Sequence, residues 1–199
     1  IIIIFILISL MLPQINAQNF ISDVSKKGTT AAPFLSIGQS ARAIGMGSAF
    51  VGVVNDVSSI YWNPAGLTKV QGVSVSFGHT LWIADIKYNY LAASYSLGGM
   101  GTIGFSYTGS DIGEMKVTTI TNPDGTGETF SSTQAAFSIA YAVQLTENFS
   151  IGFSPKFIYE SIWQMSANAF ALDLGVQYVT PFDDAILAMS ISNFGTSMQ

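Results

Sequence analysis

From Gly72 onward the chain alternates apolar and small neutral side chains at period two, the spacing at which alternate residues share one face of a β-strand. In VSVSFGH, Val73, Val75 and Phe77 alternate with Ser74, Ser76 and Gly78. In TIGFSYT, Ile103, Phe105 and Tyr107 oppose Thr102, Gly104, Ser106 and Thr108. In QAAFSIAYAVQL, Ala135, Phe137, Ile139, Tyr141 and Val143 oppose Ala136, Ser138, Ala140 and Ala142. Further strands are expected over residues 149–159, 168–179 and 185–193, with a less regular one over 87–97. The expectation is therefore an all-β chain with about seven antiparallel strands.

Alternation fits a soluble sandwich as well as a barrel in lipid, so the placement of charge has to separate them. Only 10% of the residues are charged, against about 25% in an ordinary soluble domain. Asp111, Glu114, Lys116, Asp124, Glu128, Glu147, Glu160, Asp183 and Asp184 fall in the expected connections, and the strands hold only Lys87, Lys156 and Asp173. Lys156 shares parity with Ser150, Gly152 and Ser154, and Asp173 with Ala171, Gly175 and Gln177, so both lie off the aromatic face. A lysine facing lipid at mid-membrane costs roughly 2–4 kcal/mol, whereas one facing the lumen is tolerated. Lys156 and Asp173 are thus candidate lumen-facing charges on neighbouring strands, within about two residues of direct opposition. Pairing with each other or with an inner segment is one reading, and lining a pathway is the other.

Connection lengths point the same way. SLGGMG, LTENF and TPFDD are short, while HTLWIAD, the stretch 109–132 and ESIWQMSAN are longer. Outer-membrane barrels have short periplasmic turns, longer external loops and aromatic residues near both interfaces, and Trp82, Trp163, Phe130 and Phe182 stand at or near strand ends. Only helices and closed barrels satisfy their backbone in lipid. Seven strands is an odd number, so a C-terminally truncated barrel is expected. At the other end, IIIIFILISLMLP followed by Ile15-Asn16-Ala17 reads as the apolar core and cleavage site of an export signal, incomplete at its start.

Between signal and strands, residues 34–69 lack alternation and are rich in Gly, Ala and Ser. Asn63 can cap a short helix that begins at Pro64, where proline loses no hydrogen bond and its φ suits the first turn. Ala65 and Gly66 keep this turn slim, and Tyr61, Trp62 and Leu67 give it apolar anchors.

Other chemistry is scarce. Cysteine is absent, which excludes disulfides, thiolate metal sites, a cysteine nucleophile and a lipidated N-terminal cysteine. A net charge of −5 without a Lys/Arg cluster excludes a nucleic-acid footprint. Gly99, Gly101 and Gly104 match a nucleotide-loop spacing, but they enter a strand from a hairpin and not a helix from a strand. His79, the single histidine, has no carboxylate and serine constellation, and NPDGTGE has too few spaced oxygens for a calcium loop. No catalytic residue, cofactor or metal site is expected, and the protein reads as noncatalytic.

The stretch ARAIGMGSAFVGVVNDVSSIYWNPAGL resembles the N-terminal signature of the PorV/PorQ family, within the broader FadL-like outer-membrane barrels, and FSIGFSPKFIYE and ALDLGVQY continue the likeness at strand positions. The resemblance implies a transmembrane antiparallel β-barrel of 14 strands when complete, with an N-terminal segment plugging its lumen. It divides the chain into an incomplete signal peptide at 1–17, a plug at 18–69 and the first half of the barrel at 70–199. It makes Asn63, Pro64, Ala65, Gly66 and Leu67 the plug turn. It further implies a shuttle or docking subunit of type IX secretion in the bacterial outer membrane. The implied partners are membrane lipid, the C-terminal domains of secreted cargo and other secretion subunits. The alternative it carries is a FadL-like passive channel for hydrophobic small molecules. At about 19 residues per strand, such a barrel and its leading segment need roughly 330 residues. A reading frame that stops at Gln199 in the genome would contradict this.

Overall fold

The computed structural model describes residues 31–83 and 86–198. The expected signal at 1–17 and the opening of the expected plug at 18–30 lie outside the described residues.

Two short helices come first, α1 (Ala41–Gly45) and α2 (Ser59–Trp62), with single 3-10 turns at Pro33–Ser36 and Pro64–Lys69. The strands are β1 (Val73–Leu81), β2 (Lys87–Ser96), β3 (Thr102–Lys116), β4 (Thr129–Thr146), β5 (Phe149–Ile162), β6 (Met165–Val179) and β7 (Ile186–Gly195). They form one seven-stranded sheet in sequence order, and every neighbouring pair is antiparallel. β1 and β7 are its edges. Among the described residues no helix is long and apolar enough to cross a membrane, a statement that does not bear on strands.

Period two in the sequence becomes two faces in the sheet. On the open face, register aligns Phe77, Leu91, Tyr107, Phe137, Phe157 and Phe170 in one row across β1 to β6. A second row, Val73, Tyr95, Ile103, Tyr141, Phe153, Leu174 and Ile191, crosses all seven strands. Rings within these rows touch, with centroids 5.2 Å apart for Tyr107–Phe137 and for Phe157–Phe170. Such cross-strand aromatic pairs each add a few tenths of a kcal/mol up to about 1 kcal/mol. The opposite face carries Ala92, Thr102, Ser106, Ser138, Ala140, Ser154 and Ala171, all buried.

What buries them is the chain's own segment from Ala31 to Val70. Phe34 and Leu35 pack on Tyr88, Ala136, Ile158 and Ala169, near the sheet end that carries the β1–β2, β3–β4 and β5–β6 connections. Val57, Ile60, Leu67 and Val70 pack on Tyr90, Ala92, Ala140 and Ala142 further along. The segment thus traverses the covered face from end to end before β1 begins. Its own small core joins Ala43, Phe50 and Val54, with Trp62 against them.

Two expected connections differ. ESIWQMSAN is not a long loop: β5 runs to Ile162 and β6 starts at Met165, so the hairpin closes through Trp163 and Gln164, with Trp163 at φ 54°. The connection expected over 109–132 shrinks to 117–128, because β3 extends to Lys116 and β4 starts at Thr129. Asp111, Glu114, Lys116 and Glu160 accordingly lie within strands. Ladder hydrogen bonds join backbones and are indifferent to side-chain polarity, so pairing continues beyond the last apolar row. A bulge between Asp111 and Glu114 marks the change, where Asp111 accepts the N–H of Gly113 at φ 73°.

Candidate functional site: a turn seated in the sheet

Asn63 ends α2 and starts the Pro64–Lys69 turn, and its side chain accepts the N–H of Ala65 at 3.1 Å. Proline at the first position needs no partner for a missing N–H, so cap and ring fix the turn together. Asn63 does more than cap. Its Nδ2 donates to the carbonyl of Val51 at 3.0 Å, within the segment, and to the carbonyl of Val176 at 3.1 Å, in β6. With no exposed surface, the one amide joins three backbone groups from three parts of the chain.

The wall is cut to receive this turn. Gly152 of β5 and Gly175 of β6 are direct register partners. A Cβ on Gly175 would overlap Asn63 Oδ1, and one on Gly152 would overlap the Pro64 carbonyl carbon and Ala65 N. The two glycines form a notch in which backbone meets backbone. Gly66 is constrained from the other side, since a Cβ there would stand 2.8 Å from Ser59 Oγ, Val54 Cγ1 and the Val54 carbonyl. Ala65 and Leu67 are fully buried in the same seat. Beside it, Gln177 of β6 turns Nε2 towards the carbonyls of Val51, Gly52 and Val54, at 3.3, 3.4 and 3.5 Å.

The Tyr-Trp pair before the turn divides its work. Tyr61 reaches back along the segment, its hydroxyl donating to the Leu35 carbonyl at 2.7 Å with the Ile37 carbonyl at 3.1 Å. Burial, and secondarily the negative charge of Asp173, push its pKa up to about 12, so it remains a donor at neutral pH. Trp62 turns into the segment's own core, donating to the Gln39 carbonyl at 2.7 Å and meeting Phe50 edge-on at 6.1 Å. Arg42 lies 5.0 Å above the Phe50 ring and pairs with Asp56 at 3.4 Å in the open.

Lys156 and Asp173 both point to the covered face and form an ion pair at 2.9 Å, with side-chain exposures of 7% and 0%. They are diagonal neighbours, since Asp173 stands opposite Ser154 and Lys156 opposite Ala171. A third member, Asn193, completes the group. β7 carries a bulge between its pairings to Leu172 and Leu174, and Asn193 adopts φ 57° there. Its N–H donates to Asp173 Oδ1 at 2.7 Å, and its Oδ1 accepts from Lys156 Nζ at 2.7 Å. The carboxylate therefore stands in for a missing ladder acceptor and holds the bulged strand.

The glycine notch, Gln177 and Asn193 were not singled out from sequence. The notch had a signal, because counting outwards from a hairpin near Trp163 sets Gly152 opposite Gly175 on the small-residue parity. Asn193 had none, since a bulge breaks the parity on which such counting rests. His79 lies in β1 and bonds Asn89 at 2.7 Å on the open face. No cluster of three or more His, Cys, Asp or Glu fit to hold a metal occurs among the described residues.

A polar and apolar seat without an evident reacting group points to a scaffold role, and the family identity agrees. The model of the type IX secretion system protein PorV matches residues 21–179. The chain belongs to the PorV family. Comparison with curated proteins and with solved structures returns no match. The matched PorV range takes in the seated turn, the notch, Gln177, Lys156 and Asp173, so the whole junction except Asn193 falls within the family region.

The seat yields a direct test. Replacing Asn63 and Pro64 together by Ala removes a cap worth about 1 kcal/mol and a φ restraint of similar size, and it leaves buried acceptors unpaired. Protease cleavage over residues 55–67 should rise several-fold while far-UV circular dichroism of the sheet is unchanged. Gly175→Ala should do the same from the wall side. Gly78→Ala, where a Cβ meets nothing closer than Tyr90 Cβ at 3.7 Å, should not.

Proposed function

We propose that this chain is a noncatalytic outer-membrane β-barrel component of type IX secretion, working as a shuttle or docking subunit for exported cargo. Membership of the PorV family supports the pathway. The observation that supports the membrane barrel is the sheet's open face, an apolar surface crossing all seven strands. Phe77, Ile139 and Phe170 remain 70%, 67% and 62% exposed. Contiguous apolar patches beyond a few hundred Å² are rare on soluble monomers. Lipid is the solvent such a face requires.

Dimensions agree with that solvent. The open-face residues of β5 run from Phe149 to Tyr159. At about 3.3 Å per residue and a barrel tilt near 40°, they span roughly 25 Å, the height of a typical lipid-facing band. An unpaired sheet edge in hydrocarbon costs several kcal/mol per backbone group, so further strands close the wall between β7 and β1. In this reading residues 1–17 direct export, 18–69 plug the lumen and 70–199 form half of the wall. The turn from Asn63 to Leu67 then seats the plug, and Lys156 and Asp173 face the lumen. Cargo C-terminal domains and other secretion subunits are its protein partners.

Topology and role are tested together. With longer connections outside the cell, an epitope inserted after Gly125 should be labelled on intact cells and one after Glu147 should not. Cells lacking the protein should retain type IX cargo in the periplasm and take up hydrophobic compounds normally. Normal secretion with impaired uptake would instead support a passive channel of the FadL kind.

A further inference from the structure

The end of the covered face near the β4–β5 and β6–β7 turns holds a cavity of about 130 Å³, bounded by Thr68, Lys69, Glu147, Asn148, Ser150 and Gln177 among others. Its polar atoms are not satisfied by one another. Gln177 is 2% exposed and commits Nε2 to the carbonyls of the 51–54 loop, which leaves Oε1 buried without a partner. Ser150, also buried, accepts a hydrogen bond from Thr68 at 3.2 Å and keeps its own hydroxyl hydrogen to give. The side chain of Asn148 makes no hydrogen bond among the described residues. Lys69 closes the seated turn and forms no ion pair among the described residues. Burial without a compensating anion lowers its pKa.

The cavity therefore offers a cation and two neutral donors, and one orphan acceptor beside them. A native structure rarely leaves a fully buried amide oxygen unpaired without a ligand or water to meet it. We propose that this cavity binds a carboxylate whose neighbouring atom carries an N–H. The carboxylate faces Lys69, Ser150 and Asn148, and the N–H donates to Gln177 Oε1. The volume admits such a group and little more, since one water occupies about 30 Å³ of liquid. Glu147 on the rim opposes a bare anion and favours a ligand that carries a donor. Two sources share this chemistry: the C-terminus of a peptide and a free acylated amino acid. The inference rests on the cavity alone and does not require the secretion role.

The experiment uses the purified full-length protein in detergent and three probes: acetyl-Gly-Gly with a free carboxylate, its C-terminal amide, and acetyl-glycine. Calorimetric titration should show the acid form of acetyl-Gly-Gly binding at least about tenfold more tightly than the amide, the loss expected for one charge-assisted contact. Lys69→Met should remove that preference and Lys69→Arg should keep most of it. Both variants sit at a half-buried position outside the sheet, so a normal sheet spectrum verifies folding. Acetyl-glycine binding as well as the dipeptide assigns the site to free acylated amino acids, and weaker binding assigns it to chain termini. Equal binding of acid and amide, or an unchanged preference in Lys69→Met, overturns the proposal. Because no secretion is measured, this failure is distinct from failure of the functional reading.

Discussion

A backbone can lie against another backbone only where side chains are missing from both, and the junction between segment and sheet is built on that constraint. Gly152 and Gly175 leave the wall bare at one register position, and Pro64, Ala65 and Gly66 bring a thin turn to meet it. Contact at this distance buries polar groups on both sides, which is costly unless each finds a partner. Asn63 supplies the partners, giving to Val51 and Val176 and accepting from Ala65. Cap, notch and cross-link are consequences of one close approach.

The ion pair answers a different demand. Burying Lys156 and Asp173 costs several kcal/mol per charge, and their mutual attraction alone is weak evidence of net stabilisation. Asn193 changes the balance by adding a hydrogen bond to each charge. The bulge in β7 exposes a backbone N–H that no neighbouring carbonyl accepts, and the Asp173 carboxylate receives it. Replacing the pair with apolar residues of equal volume would leave that N–H buried and unpaired. Charge in this wall is thus tied to irregular backbone, which explains why so few charges occur on the covered face.

Regular parts of the fold were legible because period two survives translation into structure. Val73, Val75 and Phe77 share the open face, and Lys156 and Asp173 share the covered one, as parity requires. Strand ends were less legible. The run from Glu160 to Asn168 is mixed and polar, so it reads as a loop, yet the ladder carries through it to a two-residue turn at Trp163 and Gln164. Of the site, Asn63 and Pro64 announce themselves through local turn chemistry. Gln177 does not, because its bonds run to residues more than a hundred positions away, and nothing local in the sequence records them.

Segment and wall are held by unlike means, and their stabilities differ accordingly. Every strand pair shares a continuous ladder, whereas side-chain hydrogen bonds between wall and segment are confined to Tyr88 with Phe34, Asn63 with Val176, Gln177 with the 51–54 loop, and Thr68 with Ser150. The segment also has a core of its own in Ala43, Phe50 and Val54. A unit with internal packing and few external joints opens at lower free energy than the sheet beneath it, and it opens as a body and not residue by residue. A partner can favour the open form only through affinity it has for that form over the closed one. The seat of Asn63 in the glycine notch sets how large that difference has to be, which makes it the point where a secretion partner's binding energy would have to act.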